Sequence, residues 1–402
     1  METKRVKDDL EDVARLLRNG GLAAVPTETV YGLAGNGLDE RAVREIYEVK
    51  GRPEQKPLSL MVPGPEAMAR YCDPVPEAAK KLAARFWPGP LTIVLKAKEL
   101  VPEIVRAGGE TVGLRCPDHP LTLELLRLAK VPFAAPSANP SGAPSPRTAE
   151  EVLAYFDGRI PAVVDGGPCG LGRESTLIDM SGTPYRILRQ GALAAETIAD
   201  ALTEEMCIVG VTGGTGCGKT TALAALKARG ALVLDCDAVY HELLAQNRDL
   251  IAELDTQFPG TVENGSLDRK ALGRVVFADP EALDRLNTLT HRYVGQEVCS
   301  RLRDWAMAGG TLAAVDAIEL IGSGLAEICD FTVGVLADRE TRARRIMARD
   351  GISREYALLR IEAQHPDSYF RDNCTVVLEN NGDREAFLSQ FNQILEEKIK
   401  HG

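Results

Sequence analysis

A glycine-rich run in the middle of the chain constrains the fold more than any other feature. Residues 213–221 read GGTGCGKTT, which fits the pattern G-x-x-x-x-G-K-[ST]. A strand-like apolar run at 207–211 precedes it, and the helical stretch TALAALKARG follows it. This order predicts a phosphate-binding loop, or P-loop, between a strand and a helix. A domain therefore begins close to residue 207, and about two hundred residues before it need a separate explanation.

Composition narrows the class of protein. The 402 residues carry a formal net charge of −11, so we expect no strong direct binding to nucleic acids. The nine cysteines are scattered without a C-x-x-C pair, which indicates reduced thiols rather than disulfides or a zinc site. The first residues do not resemble a signal peptide, and no apolar run reaches the roughly 18 residues that span a bilayer. We therefore expect a cytoplasmic protein without a membrane partner.

Strand-like and helical patterns alternate in both halves, which is typical of α/β folds. In the first half, helical runs at 40–49 and 119–129 alternate with strand-like runs at 91–95 and 162–164. The second half repeats this rhythm after the P-loop strand. The patterns predict an N-terminal α/β twisted-sheet domain over 1–203 and a three-layer α/β/α P-loop domain over 207–402.

The second domain carries candidate groups for phosphoryl transfer. Glycine backbone N–H groups should face phosphate oxygens, Lys219 should lie against the β- and γ-phosphates, and the Thr220 hydroxyl should bind Mg²⁺. Asp235 and Asp237 end the next strand, where a carboxylate can accept the proton of an acceptor hydroxyl. Alternatively, both aspartates cap the following helix. The candidate ATP-binding residues of the loop are Gly213, Gly216, Gly218, Lys219, Thr220 and Thr221.

Four further segments, in order, resemble the dephospho-CoA kinase family. They are LDCDAVYHEL at 234–243, LDRKALGRVVFADPEALDRLNTLTH at 267–291, RRIMARDGISREYALLRIEAQ at 344–364 and VVLENNGD at 376–383. The resemblance covers about residues 207–398. It implies a phosphotransferase that uses ATP and Mg²⁺ to phosphorylate the ribose 3′-hydroxyl of dephospho-CoA.

The resemblance also implies roles for individual residues. Asp237 would be the general base, and Lys219, Arg345 and Arg349 would complete the catalytic set. Arg345 and Arg349 lie one helical turn apart on a predicted lid helix, where both could reach the transferring phosphates. A solvated basic face is the alternative for these arginines. Asn381 would contact ATP from the adenine-side turn.

Two positions depart from the family pattern. Arg292 stands where the family usually has proline after the histidine at 291, and the acid expected after the central strand falls on Gly322. Asp316 and Glu319 lie nearby, and Asp316 could take the metal-facing role together with the P-loop threonine. These departures leave open an acceptor other than dephospho-CoA, such as a nucleoside or another small alcohol.

The first domain has no generic motif, but three loops have the chemistry of a nucleotide site. Lys50, Arg52 and Lys56 stand in KGRPEQKPLS, where three cations suit a triphosphate, although solvated surface charge is the alternative. PSANPSG at 136–142 and GRESTLID at 172–179 supply hydroxyl and amide groups after strand-like runs.

With PTETVYGL, FWPGPLT, TVGLRCPDHP and VDGG, these loops resemble the threonylcarbamoyl-AMP synthase family, also called YrdC-like, over most of residues 10–191. The resemblance implies a nucleotidyltransferase that makes threonylcarbamoyl-AMP from L-threonine, bicarbonate and ATP and releases pyrophosphate. Its product would pass to the machinery that makes N6-threonylcarbamoyladenosine in tRNA. The implied ATP-binding residues are Lys50, Arg52, Ser137, Asn139, Arg173, Ser175 and Arg189. The implied threonine-binding residues are Thr29, Tyr31 and Arg115.

The sequence thus predicts a bifunctional cytoplasmic enzyme with small-molecule substrates, whose two domains each use ATP and Mg²⁺. A different class of function, a noncatalytic RNA-binding domain gated by a P-loop ATPase, is the remaining alternative. It predicts salt-dependent RNA binding and no threonine-dependent release of pyrophosphate.

Overall fold

The computed structural model describes residues 2–399, which form two compact units. The first unit extends to Leu202 and includes Met307–Gly309, and the second comprises Thr203–Ala306 and the chain from Gly310 onward. Between residues 2 and 399, no helix combines the length and the apolar character that a membrane crossing needs.

The first unit is built on a mixed sheet that contains ten strands within the described residues. They are β1 (Lys4–Val6), β2 (Ala23–Val25), β3 (Gly32–Asn36), β4 (Ser59–Met61), β5 (Leu91–Lys96), β6 (Thr111–Arg115), β7 (Phe133–Ala134), β8 (Ala162–Val164), β9 (Thr176–Asp179) and β10 (Arg186–Arg189). Their order across the sheet is β1-β8-β2-β3-β7-β4-β6-β5-β9-β10. The accompanying helices are α1 (Leu10–Arg18), α2 (Glu40–Lys50), α3 (Met68–Tyr71), α4 (Glu77–Phe86), α5 (Glu103–Arg106), α6 (Pro120–Ala129), α7 (Ala149–Phe156) and α8 (Ala195–Thr203).

Apolar periodicity explains how helices cover this sheet. Helix α1 presents Val13, Ala14 and Leu17 at helical spacing, and these side chains are buried. They pack in one core with Val25 of β2 and Leu125 of α6. Because the strands are short and their core is on the sheet faces, the loops at the strand ends remain available to carry polar side chains.

The second unit is built on a parallel sheet with five strands within residues 2–399. These strands are β11 (Cys207–Thr212), β12 (Leu232–Asp235), β15 (Leu312–Asp316), β16 (Phe331–Leu336) and β17 (Val376–Glu379), in the order β12-β15-β11-β16-β17, and a hairpin is formed by β13 (Val262–Glu263) and β14 (Ser266–Leu267). The helices are α9 (Lys219–Ala228), α10 (Cys236–Gln246), α11 (Arg248–Gln257), α12 (Arg269–Val276), α13 (Pro280–Met307), α14 (Arg339–Asp350), α15 (Arg354–Glu362), α16 (Asp367–Asn373) and α17 (Arg384–Ile399).

The register of the parallel strands gathers polar residues at one edge of the sheet. Val211 of β11 and Asp235 of β12 are both backbone partners of Asp316 in β15. The P-loop follows β11 directly, so the loop and the two aspartates meet where the strands end. Carboxyl ends of parallel strands are the usual ligand-binding edge of such a sheet.

The predicted α/β class of both halves is confirmed, including the strand–loop–helix around residues 213–221. Several short strands were not predicted from the sequence. Strand β3 reads GLAGN, which lacks the β-branched residues typical of strands, and β10 is largely exposed. Strand β7 consists of Phe133 and Ala134 alone. These strands form because neighbouring strands pair with them, and this pairing has no local sequence signal.

Candidate active sites

A cavity of about 360 Å³ in the first unit contains much of the predicted ATP site. Five residues predicted above for ATP or threonine line it: Arg52, Ser137, Ser175, Arg189 and Arg115. Lys56 also lines the cavity. The combination of several cations with serine hydroxyls suits a polyanionic ligand such as a triphosphate.

Hydrogen bonds hold the two arginines of the cavity wall. Arg52 donates to the carbonyl oxygens of residues 56 and 57 over 3.3 and 3.1 Å. Arg189 donates to the carbonyl oxygen of Ser175 from two nitrogens, over 3.1 and 2.9 Å, and pairs with the Glu174 carboxylate. Burial is the main reason why the pKa of Arg52 is lowered; the charge of Glu174 opposes this effect, and the charge of Arg189 adds a smaller lowering. An anion between these guanidinium groups would relieve their repulsion.

Lys50 lies behind the cavity rather than in its lining. Its ammonium group donates to the carbonyl oxygens of Ser137 and Asn139, and only 3% of the residue is exposed. Burial is the main reason why the pKa of Lys50 falls to about 8. In this structure Lys50 therefore fastens the loop that carries Ser137 into the cavity.

Asn139 is buried in the same loop and has one unused acceptor. Its amide nitrogen donates to the carbonyl oxygens of Pro140 and Ala143 over 3.1 and 2.6 Å. Its Oδ1 is buried without a hydrogen-bond donor among residues 2–399. Because buried polar atoms usually have partners, this oxygen is a candidate contact for a ligand.

Arg115 is held in a buried network beside the cavity. Its Nη2 lies 2.6 Å from Glu28 Oε1 and 2.8 Å from Thr29 Oγ1, and its Nε donates to the carbonyl of Gly89 over 3.3 Å. Of the predicted threonine-binding residues, Arg115 therefore lines the cavity and Thr29 supports it. Glu28 was missed as a site residue, although it stands inside the motif PTETVYGL, because its pairing with Arg115, 87 positions away, has no signal in the sequence.

Tyr31 and Arg173 are placed away from the cavity lining. The Tyr31 hydroxyl donates to the carbonyl of Gly167 over 2.8 Å and accepts from the N–H of Gly166 over 3.2 Å. Burial raises the pKa of Tyr31. Tyr31 thus holds the loop after β8, while Arg173 is an exposed residue. The structure does not bring these two residues together with the others.

The second site is the P-loop, whose shape depends on its glycines. Gly213, Gly216 and Gly218 have φ angles of 141°, 82° and 90°, which residues other than glycine rarely adopt. A Cβ at Gly213 would also lie 2.2 Å from the carbonyl oxygen of Val335. The pattern therefore requires glycine at these positions for conformational and steric reasons.

Lys219, Thr220 and Thr221 form the first turn of α9, directly after the loop. Backbone N–H groups at a helix N-terminus favour phosphate oxygens. Lys219 Nζ lies 2.9 Å from Asp316 Oδ1, and both side chains are largely buried. Burial raises the pKa of Asp316, while the lysine charge opposes this effect. The predicted phosphate-binding lysine and the predicted metal ligand are therefore in direct contact.

Asp235 and Asp237 have different environments although they are two residues apart. Asp235 Oδ1 accepts from the N–H groups of Asp237 and Ala238 over 2.9 and 3.1 Å, so Asp235 caps helix α10. Asp237 is exposed, and its carboxylate has no hydrogen-bond partner among the described residues. The capping interpretation applies to Asp235, and Asp237 keeps a carboxylate that is free to act on a ligand.

Both predicted lid arginines contact the P-loop. Arg345 donates from Nη1 to the carbonyls of Gly216 and Cys217 over 3.3 and 3.1 Å. Arg349 donates to Thr215 Oγ1 over 3.2 Å and pairs with Asp350 over 2.7 Å. Helix α14 thus lies against the loop.

Asn381 is at the surface, and its neighbour Asn380 contacts the P-loop. The side-chain oxygen of Asn381 accepts from the N–H of Asp338 over 2.6 Å. Asn380 is buried, and its amide donates to the carbonyl of Cys217 over 2.9 Å. Sequence reasoning missed Asn380, because two adjacent asparagines in a turn give no signal that distinguishes them. It also missed Arg342, because nothing in the sequence of helix α14 shows which of its arginines is buried.

The two departures have structural counterparts. Arg292 pairs with Glu253. A Cβ at Gly322 would lie 3.1 Å from Glu319 Oε2, so the Glu319 carboxylate occupies space that a side chain at 322 would need. Glu319 also contacts His365 Nε2 over 3.1 Å. Burial lowers the pKa of His291, and the charge of Glu319 opposes this effect.

The two sites define a chain with two nucleotide-binding α/β units, one with a cation-lined cavity and one with a P-loop. Residues 15–191 match the Sua5/YciO/YrdC family model, whose description is telomere recombination. Residues 207–385 match the family model of dephospho-CoA kinase.

Curated relatives fall into the same two groups. Threonylcarbamoyl-AMP synthase from Pyrococcus abyssi is 47% identical over 191 residues, which cover 48% of this chain and 56% of the relative. The same enzyme from Marinobacter nauticus is 36% identical over 169 residues, with 42% and 89% covered. Dephospho-CoA kinase from Dehalococcoides mccartyi is 33% identical over 197 residues, with 48% and 99% covered.

The chain therefore belongs to the threonylcarbamoyl-AMP synthase family in its first half and to the dephospho-CoA kinase family in its second half. Both resemblances stated from the sequence are confirmed. The chain spans about half the length of the first curated relatives it matches, with 56%, 61% and 52% of three synthases covered.

Proposed function

We propose that the chain is a bifunctional cytoplasmic enzyme. Residues 1–203 would make threonylcarbamoyl-AMP and pyrophosphate from L-threonine, bicarbonate and ATP. Residues 207–402 would transfer the γ-phosphoryl group of ATP to the 3′-hydroxyl of dephospho-CoA. The observation that carries this proposal is that each unit has its own group of candidate anion ligands, a cavity lined by Arg52 and Arg189 in the first and the P-loop before helix α9 in the second.

In the first unit, the cavity would work mainly by positioning. Arg52 and Arg189 would neutralise the triphosphate of ATP, and Arg115 would bind the carboxylate of L-threonine. Bringing three reactants together removes much of the entropic barrier, which can contribute several kcal/mol without a protein nucleophile. The product is an activated carbamoyl group, which we propose is passed to the tRNA-modifying machinery.

In the second unit, Asp237 would accept the proton of the acceptor hydroxyl while Lys219, Arg345 and Arg349 stabilise the charge on the transferred group. The exposed carboxylate of Asp237 supports the first role. Arg349 reaches Thr215 Oγ1 of the P-loop, which supports the second role. Arg345 donates to loop carbonyls and would exchange these bonds for phosphate contacts when ATP binds.

The available oxygen ligands fit Mg²⁺ in the second unit. Mg²⁺ prefers oxygen atoms and retains several water ligands, so a hydroxyl and one carboxylate can suffice. Thr220 follows the P-loop lysine, and Asp316 is the buried carboxylate beside that lysine. These two residues would hold the ion, which would supply charge neutralisation to the phosphates of ATP. In the first unit, the unused Oδ1 of Asn139 would contact the bound nucleotide or its metal.

The proposal is tested by assaying both reactions on the purified chain. We expect threonine- and bicarbonate-dependent release of pyrophosphate, and CoA formation from dephospho-CoA. Lys219→Ala should abolish CoA formation and leave pyrophosphate release nearly intact. Lys50→Ala combined with Arg52→Ala should do the reverse. Loss of both activities in either variant would contradict two independent sites.

A second acceptor class remains for the kinase unit. The family pattern has an acidic residue at the position of Gly322. In this chain the carboxylate of Glu319 lies beside Gly322 instead, so the acid comes from a different position. A nucleoside or another small alcohol would then be the substrate. Phosphorylation of such an alcohol, without any CoA formation, would favour this alternative.

A further inference from the structure

The backbone of Thr215 in the P-loop is held at its N–H by one residue and at its carbonyl by another, and these two residues also contact each other. The N–H of Thr215 donates to Oε1 of Gln364 over 2.8 Å, and the carbonyl of Thr215 accepts from Nε of Arg342 over 3.0 Å. Arg342 Nη2 donates to the same oxygen of Gln364 over 2.9 Å. These three hydrogen bonds form a closed triangle, and we call Arg342 and Gln364 the Thr215 clamp.

The burial of Arg342 indicates that these contacts account for its position. Only 4% of the residue is exposed, and the nearest carboxylate oxygen, on Asp367, lies 3.9 Å from Nη1. A buried guanidinium group loses the hydration of its charge, so its N–H groups need acceptors inside the protein. The Thr215 carbonyl and Gln364 accept hydrogen bonds from Arg342. Asp367, at 3.9 Å and partly exposed, is too far away to accept one.

Gly214 provides independent support, because it stands at an unspecified position of the P-loop pattern. A Cβ at this residue would lie 2.2 Å from Arg342 Nη2 and 2.9 Å from Gln364 Oε1. The pattern itself gives no reason for glycine here. The close approach of the clamp gives one, so the loop and the clamp are sterically matched.

The clamp belongs to a larger set of contacts that hold the loop carbonyls. The carbonyls of residues 215, 216 and 217 accept hydrogen bonds from Arg342, Arg345 and Asn380, respectively. The N–H groups of Gly216 and Gly218 have no acceptor within residues 2–399. Backbone N–H groups that lack a protein acceptor are available to an anion.

We propose that Arg342 and Gln364 are positioning residues for the phosphates of ATP in the second unit. They hold the backbone of Thr215 so that the N–H groups of Gly216 and Gly218 face the nucleotide. Arg342 connects the loop to helix α14, which carries the lid arginines, and Gln364 connects it to the segment just after α15. This inference rests on the proposed kinase function of the second unit.

The test compares steady-state constants for CoA formation in the full chain. Arg342→Gln and Gln364→Leu should each raise the KM for ATP by about tenfold or more, since hydrogen bonds of charged groups are worth that much. The kcat and the KM for dephospho-CoA should stay within about threefold of the wild-type values, because the clamp acts on the donor site. Gln364→Glu keeps the acceptor oxygen and should recover most of the affinity for ATP that Gln364→Leu loses.

Arg339→Gln is the matched control, because Arg339 lies on the same helix α14, is exposed and pairs with Glu362. Threonine-dependent pyrophosphate release by the first unit is a second control within each variant. Both controls should match the wild type. Gln364 is only half-buried, so its variants remain informative if Arg342→Gln fails to fold.

Three results would overturn the clamp. One is an unchanged KM for ATP in both variants, and another is an equal rise with Arg339→Gln. The third is a wild-type KM for ATP in Arg342→Lys, because lysine keeps the charge but not the hydrogen-bond geometry of arginine. If the wild-type chain makes no CoA, the proposed function fails separately. ATP binding by calorimetry, with Lys219→Ala as the baseline for the second unit, then tests the clamp directly.

Discussion

Replacing Glu28 with glutamine should destabilise the first unit, because the change leaves Arg115 without its buried counter-charge. The two groups lie 2.6 Å apart, and their side chains are 14% and 8% exposed. Removing one partner of a buried ion pair typically costs 3–5 kcal/mol. Arg115 keeps hydrogen bonds to Thr29 and Gly89, so we expect a value near the lower limit, about 3 kcal/mol.

Tryptophan fluorescence can follow this unit by itself. The chain has two tryptophans, and Trp305→Phe leaves Trp87 as the reporter. Trp87 is buried and donates to the carbonyl of Leu91 over 2.7 Å. For a unit of about two hundred residues, 3 kcal/mol corresponds to a fall of about 6–12 °C in Tm. Urea titration of the same variants gives the free energy of unfolding.

The matched control is Glu40→Gln, which breaks the exposed pair between Glu40 and Arg44 on helix α2. The atoms of this pair lie 3.4 Å apart, and both side chains are more than half exposed. Exposed pairs of this spacing are worth about 0.3–0.5 kcal/mol. If Glu28→Gln costs no more than about 1 kcal/mol, the reasoning from burial is wrong.

The other predictions compare neighbouring groups or different pH values. Asp237→Asn should lower the kcat for CoA formation by about 10²–10⁴-fold, as for loss of a general base. Asp235→Asn should keep most of it, because asparagine caps a helix as well as aspartate. Asn380→Ala should raise the KM for ATP more than Asn381→Ala, since Asn380 holds a P-loop carbonyl; equal effects would contradict this. The pKa of Lys50 is about 8 in the folded chain and 10.5 in its ordinary state, so the unfolded chain binds more protons between these pH values. The free energy of unfolding should therefore rise with pH over this interval, by at most about 3 kcal/mol, relative to Lys50→Met. Urea titrations at both ends of the interval measure the difference in the free energy of unfolding between the wild type and Lys50→Met. If this difference is the same at both pH values, the burial argument is wrong.

Local motifs made part of the candidate sites predictable. Arg52, Ser137 and Ser175 come from three separate loops, yet each loop has its own turn residues and polar groups. The structure places all three in the lining of one cavity. The P-loop was equally predictable, because its strand, glycines and helix are consecutive in the chain. The catalytic and binding roles of these residues stay predictions.

Contacts between distant residues were not predictable. Arg342 and Thr215 are 127 positions apart, and Arg115 and Glu28 are 87 positions apart. No pattern in the sequence says which arginine is buried against a loop carbonyl and which is exposed. The same holds for Lys50, which was predicted to bind ATP but ends helix α2 and donates to two carbonyls in the fold.

The sequence by itself determined the two α/β halves, the position of the P-loop and the two family resemblances, because these depend on short-range order along the chain. Only the tertiary structure decided which of two aspartates caps a helix, which of two asparagines contacts the P-loop and which arginine holds its backbone. These choices depend on burial and on hydrogen-bond partners, which exist only after the sheet register has brought distant segments together.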